Sequence, residues 1–205
     1  MDKIEELKAE YTKNLPENAV VPSTMYASYE SKEKALEGIR ASSEYFRCLN
    51  GIWDFSYYPN PSLVPEGFSN PESSIEHWDK ITVPGNWQMQ GYDKPQYTNI
   101  RFPYPSDPPH VPDDNPVGIY RREFYIPESW CNRKVFISFG GVNNAFYLFV
   151  NGEKVGYGQT SHNRFDFDIT GYIREGRNVL ILKVFKWSST SYLEDQDFWR
   201  LSGIF

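Results

Sequence analysis

The sequence predicts an all-β protein, an antiparallel β-sandwich of the jelly-roll kind with a short helical or irregular arm at its amino end. Three observations predict it. Aromatic residues make up 17% of the 205 residues, with 6 Trp, 15 Tyr and 14 Phe. Strand-like runs recur at short, regular spacing after Gly118. No helical pattern alternates with those runs, which argues against an α/β fold. Flat rings suit the half-buried surface of a pleated sheet, so most are expected in the core, leaving a minority as platforms for sugar rings. The length suffices for one sizeable core.

The elements follow in chain order. Residues 3–11 carry Glu, Leu, Lys and Ala and run out before Pro16, which predicts a short surface helix or frayed arm outside the main domain. A second polar helical stretch is expected around residues 31–36. Leu49-Asn50-Gly51 then reads as a turn into the aromatic strand Ile52-Trp53-Asp54-Phe55. The expected division is an arm over residues 1–45 and a jelly roll over residues 46–205. Residues 59–116 are crowded with Pro, Gly, Asn and Asp, which fix φ and interrupt ladders, so long irregular loops are expected to dominate there. Such loops are often functional.

Strands are expected over residues 120–126, 134–139, 145–150, 154–158, 164–168 and 178–187. In the first, Tyr120, Arg122, Phe124 and Ile126 share a mostly apolar face, an imperfect period of two. Asn151-Gly152 between two of the runs predicts a hairpin, because a type I′ turn needs positive φ at both central positions. Asp166 and Asp168 flank Phe167 and are expected to share a polar edge.

The net charge of -6 argues against a nucleic-acid partner, since binding phosphates requires a basic face. The first eleven residues lack the apolar centre of a signal peptide, and no run approaches the ~20 apolar residues of a membrane span. A soluble, cytoplasmic protein without a membrane partner is expected. Cys48 and Cys131 have no metal or disulfide spacing and are expected as buried free thiols. His77, His110 and His162 stand far apart and form no metal motif.

Hydrolysis of a glycosidic bond usually needs two carboxyl groups about 5 to 10 Å apart. The cluster Glu194-Asp195-Gln196-Asp197 contains carboxyls, but neighbours in one short loop would have to splay across a cleft to serve so. A cation or hydroxyl ligand is the better functional use of it, and a solvated acidic loop the plainer one. Gly-x-Ser-x-Gly and Gly-rich phosphate loops are missing.

Four runs together resemble the amino-terminal part of family 2 β-galactosidases of the large bacterial type. They are Val83-Pro84-Gly85-Asn86-Trp87-Gln88-Met89-Gln90-Gly91-Tyr92; Tyr97-Thr98-Asn99-Ile100 with Phe102-Pro103; Asn115-Pro116-Val117-Gly118 with Tyr120; and Ser191-Tyr192-Leu193-Glu194-Asp195-Gln196-Asp197 with Trp199-Arg200-Leu201-Ser202-Gly203-Ile204-Phe205. Gly141-Val142-Asn143-Asn144-Ala145, Asn151-Gly152 and Gly156-Tyr157-Gly158-Gln159 fit the same pattern. The resemblance covers roughly residues 46–205 and implies a galactose-binding-domain-like jelly roll that sends loops into an active site on a later (β/α)₈ barrel.

By that resemblance Asn99 hydrogen-bonds the galactosyl ring, Ile100 helps line the pocket, and Asp197 binds sugar hydroxyls and a sodium ion. The residue types suit these roles. An amide both donates and accepts, and a carboxylate is a hard, charged acceptor. Read without the resemblance, Asn99 is a turn cap and Asp197 an ion-pair partner of Arg200. No catalytic residue is expected in this chain, because the acid/base and nucleophile of the family, and its catalytic Mg²⁺, belong to the barrel, which takes about 250 residues. The chain is therefore expected to be inactive alone and to stop before the closing strand of its sandwich. Ser188-Ser189-Thr190 stands where relatives have an Asp-containing turn that helps hold a peripheral magnesium, so that secondary site is not expected. The implied partners are a galactoside such as lactose, the remaining domains of the parent enzyme and a homo-oligomer. A stand-alone lectin-like module or an oligomerisation domain is the alternative.

Overall fold

The computed structural model describes residues 16–21, 24, 26–194 and 197–205. The expected helix over residues 3–11 lies outside the described residues. The chain forms strands β1 (Gly51–Tyr58), β2 (Asp79–Val83), β3 (Gly85–Asn86), β4 (Gln96–Thr98), β5 (Val117–Ile126), β6 (Phe136–Phe139), β7 (Val142–Asn143), β8 (Ala145–Val150), β9 (Glu153–Gln159), β10 (Phe165–Asp168), β11 (Gly176–Phe185), β12 (Phe198–Arg200) and β13 (Gly203–Ile204). The first helix described, α1 (Lys32–Glu37), is capped by Ser31, whose side chain accepts from the Lys34 amide. It buries no residue.

Six strands form one antiparallel sheet in the order β2-β1-β5-β11-β8-β9. Facing it are the pair β10-β6 and the trio β3-β13-β7. The interior between the layers is aromatic and branched: Phe55, Tyr120, Phe146, Leu148, Leu182 and Val184 from the large sheet meet Ile137, Phe139, Phe165, Phe167, Val142 and Ile204. This is the expected antiparallel sandwich.

Period two is clean in β10, where Phe165 and Phe167 are buried and Asp166 and Asp168 are not. It fails in β11, where the last eight residues are all buried. The reason lies outside the sandwich. A second apolar cluster sits on the far face of the large sheet, where Val117, Ile119, Tyr147, Tyr157, Ile181, Phe185 and Trp187 are covered by Val64, Phe68, Trp78, Tyr104 and Tyr192. Four of those five covering residues come from residues 59–116, so the loop-rich stretch is a third layer. It is also less irregular than its composition suggests, since it contains β2, β3 and β4. The buried outer face explains Arg121, which is enclosed and ion-paired with Asp54 at 3.5 Å and Glu123 at 2.9 Å.

The predicted hairpin is present. Asn151 has φ 51° and Gly152 φ 90° between β8 and β9. Two other glycines are required by close approach. A Cβ on Gly118 would lie 2.7 Å from the Phe55 and Trp87 rings, and one on Gly203, at φ 149°, would lie 2.2 Å from the Gly85 carbonyl oxygen. Glu17 pairs with the outer edge of β9, exchanging backbone hydrogen bonds of 3.0 and 3.1 Å with Tyr157, and the chain then passes to β10, where Ala19 bridges Phe167 and the Val20 amide donates to the Asp166 carbonyl at 2.8 Å. That contact covers an otherwise open sheet edge.

One expectation is corrected. Cys48 and Cys131 are free but exposed. Both lie just outside strands, Cys48 before β1 and Cys131 at the end of a 3₁₀ turn, where the backbone faces solvent.

Candidate functional site

Two segments distant in sequence form a small antiparallel ribbon, β4 with β12, in register Gln96↔Arg200, Tyr97↔Trp199 and Thr98↔Phe198. One step beyond the last pair stand Asn99 on one strand and Asp197 on the other, so both leave the ribbon at the same end. Both are exposed, as is Ile100, at 88%. The structure thus brings Asp197 to the same end of the ribbon as Asn99 and Ile100, from which the sequence separates it by almost a hundred positions. Asn99 Oδ1 accepts from the amide of the next residue, Ile100, at 2.8 Å. Asp197 Oδ1 accepts from the Tyr97 hydroxyl at 2.5 Å. Arg200, the alternative partner for Asp197 from sequence, turns inward and is buried with its guanidinium carbon 4.2 Å from the Phe198 ring centre.

The acidic cluster divides its labour. Glu194 points into the sandwich, accepting from Asn144 Nδ2 at 2.7 Å and from the Ser161 amide at 2.6 Å. Asp195 and Gln196 lie outside the described residues. Asn144 stands where the chain crosses from β7 in one layer to β8 in the other, and every polar atom on it is used. Its amide donates to the Phe185 carbonyl at 2.9 Å, its carbonyl accepts from Thr160 at 3.1 Å, and its Oδ1 accepts from the hydroxyls of Ser188 and Thr190. A buried polar network satisfied in this way is rigid, whereas a half-satisfied one would be costly. It fastens three loops, around residues 144, 161 and 188–194, and so sets where β12 begins.

The ribbon is anchored from the other side too. The Ser202 amide donates to Gln88 Oε1 at 2.8 Å, and Trp87 N donates to the Ser202 carbonyl at 2.9 Å. Lys186, 4% exposed, pairs with Asp93 at 2.5 Å beneath the same loops. An open depression of about 580 Å³ borders the ribbon, lined by Thr160, Ser161, His162, Asn163, Glu194, Phe198 and Trp199. Its size falls within the usual range for small-molecule sites.

The hydrogen bond to Asp197 holds the Tyr97 phenol above the ordinary tyrosine value. Beneath the ribbon, burial pushes Tyr104 up to about 12. Among the described residues no three His, Cys, Asp or Glu side chains come together as a metal cluster. The carboxylate of Asp197 is a hard oxygen donor of the kind a cation takes.

Sequence reasoning missed Tyr97, Trp199 and Asn144. The signal for the first two was present: Tyr97 and Trp199 lie two positions from Asn99 and Asp197, and alternate residues of a strand share a face.

Comparison with known proteins agrees with this architecture. The family model described as "Glycosyl hydrolases family 2, sugar binding domain" matches residues 46–205. The chain is 48% identical over 182 residues to a beta-galactosidase of Priestia megaterium, covering 86% of this chain and 18% of that protein. It is 47% identical over 178 residues to a beta-galactosidase of Psychromonas ingrahamii, covering 87% and 17%. A beta-galactosidase of Vibrio cholerae is 43% identical over 184 residues, covering 90% and 18%. The chain thus spans about a fifth of the length of these relatives. Among solved structures, a Ruminococcus gnavus beta-glucuronidase aligns with TM-score 0.52 and 19% identity over 67% of this chain and 21% of that one. A Bifidobacterium dentium beta-glucuronidase aligns with TM-score 0.51 and 18% identity over 67% and 19%. At such identities these two matches speak for the fold alone.

Proposed function

This chain belongs to glycosyl hydrolase family 2 as its sugar-binding domain, and from that premise we propose that it forms one wall of a β-galactoside site in a β-galactosidase. Asn99 and Asp197 hold hydroxyls of the terminal galactose, and Ile100 closes the pocket beside them. The bond-breaking carboxyl groups come from a barrel elsewhere in the enzyme, which works with retention through a covalent galactosyl intermediate.

The single observation that carries this reading is the register of β4 with β12, which delivers Asn99 and Asp197 to one end of one ribbon. An amide and a carboxylate side by side can engage neighbouring hydroxyls of one sugar with both donors and acceptors. Asp197 would give a sodium ion one carboxylate ligand, with the others supplied by polypeptide outside this chain, as would the whole of the Mg²⁺ site. Bound there, sodium would offer a positive charge to a sugar oxygen.

Two measurements test the proposal. The isolated 205-residue chain should hydrolyse nitrophenyl galactoside no faster than a blank, and ordinary turnover would overturn the division of labour. In the full-length enzyme, Asp197→Asn should raise KM for the galactoside, and an unchanged KM would overturn the assignment of the site.

A further inference from the structure

Asp197 is an exposed carboxylate at the end of a ribbon of three residue pairs, and a two-stranded element of that size is marginal without help from its side chains. Tyr97 makes two contacts there, one that holds the carboxylate and one that braces the ribbon. Its hydroxyl donates to Asp197 Oδ1 at 2.5 Å, within the range of hydroxyl–carboxylate bonds strengthened by charge. Its ring lies 5.6 Å, centre to centre, from that of Trp199, its register partner across the ribbon. The phenol is thus held by a neighbour that is itself fixed in the strand, and a hydroxyl on a rigid ring has far less freedom than one on a flexible stem.

We infer that Tyr97 is a positioning residue of the galactoside site: braced against Trp199, its hydroxyl holds the Asp197 carboxylate in one orientation beside Asn99. The inference rests on the proposed role of Asn99 and Asp197. Tyr97 need not touch the sugar. Its contribution is that the carboxylate arrives already oriented, so less rotamer freedom is lost when the sugar binds.

Tyr97→Phe removes one oxygen from a half-exposed ring and keeps the contact with Trp199, so it separates orientation from folding. In the full-length galactosidase carrying this domain, the variant should raise KM for nitrophenyl galactoside roughly 3- to 10-fold, with kcat within about twofold. The thermal midpoint should not move. Should Asp197→Asn raise KM while Tyr97→Phe does not, the positioning role is overturned and the site assignment stands. An Asp197→Asn enzyme with unchanged KM overturns the site assignment and the inference with it. A Tyr97→Phe protein that melts early and loses kcat and KM together would reduce Tyr97 to a structural residue.

Discussion

Phe146 and Trp199 are both aromatic residues of strands, yet their surroundings have little in common. Phe146 is fully enclosed, with the rings of Phe139, Phe165 and Phe167 at 5.4, 5.7 and 5.9 Å. Trp199 stays 56% exposed, and its ring neighbour is Tyr97. Between them lies the polar latch of Glu194 and Asn144, half-buried and hydrogen-bonded throughout. The contrast teaches that burial is concentrated in the sandwich and exposed side chains at the ribbon, with the latch transmitting the geometry of the first to the second. Residues at the tip are therefore little constrained by packing.

Substitutions graded along this path should show a falling cost. The largest is Phe146→Ala, expected to lower the unfolding free energy by about 3–5 kcal/mol through lost burial and a residual cavity, as read by chemical denaturation of the isolated chain. A cost below ~1 kcal/mol would break the contrast at its root. Next comes Glu194→Gln, which keeps the shape of the latch but takes the charge from the acceptor of Asn144 Nδ2 and the Ser161 amide. Its expected cost is about 1.5–3 kcal/mol.

A smaller, pH-dependent effect belongs to the sheet surface. Hydrogen bonds from Arg177, and then from Arg121, hold the Glu123 carboxyl at about 2 against an unfolded value of 4.5. A lowered folded pKa means the unfolded chain binds the proton first. The contribution is therefore complete above pH ~4.5 and is lost as pH falls toward ~2. Melting temperature followed across that window should fall less steeply in Glu123→Gln than in the parent, and parallel curves would remove the pair from the account. The smallest effect on stability is expected at the tip. Asn99→Ala and Asp197→Asn should each change the unfolding free energy by less than about 0.5 kcal/mol. In the full-length enzyme the same changes should weaken galactoside binding at least ~10-fold, about 1.4 kcal/mol. Equal losses in stability and binding would erase the distinction.

The sandwich was legible because its signals are local. Alternation in β10, the Asn151-Gly152 turn and the branched and aromatic run of β8 each say what they are within a few residues. What escaped was set by distant parts of the chain. β4 and β12 are three residues each, too short for periodicity, and exist because they find one another across about a hundred positions. β11 does not alternate because residues 59–116 fold back over its outer face, which no window of its own sequence could report. The exposed cysteines reflect the same limit, since composition ranks Cys as a core residue while position decides. Asn99, Ile100 and Asp197 were named through family resemblance. Their spacing alone left a turn cap and an ion pair, whereas the Asn99 side chain accepts only from the amide of the next residue, Ile100.

The layer built from residues 59–116 carries a practical consequence. A stretch so rich in Pro, Gly and Asn invites shortening, tagging or insertion by anyone engineering the protein. Phe68, Trp78 and Tyr104 nevertheless roof the large sheet. Deleting that roof would strip the outer sides of Ile119, Ile181 and Phe185 and turn a concealed wall into a sticky one. Proteases that cut wherever glycine and proline suggest slack should find this span resistant while the sandwich stays folded.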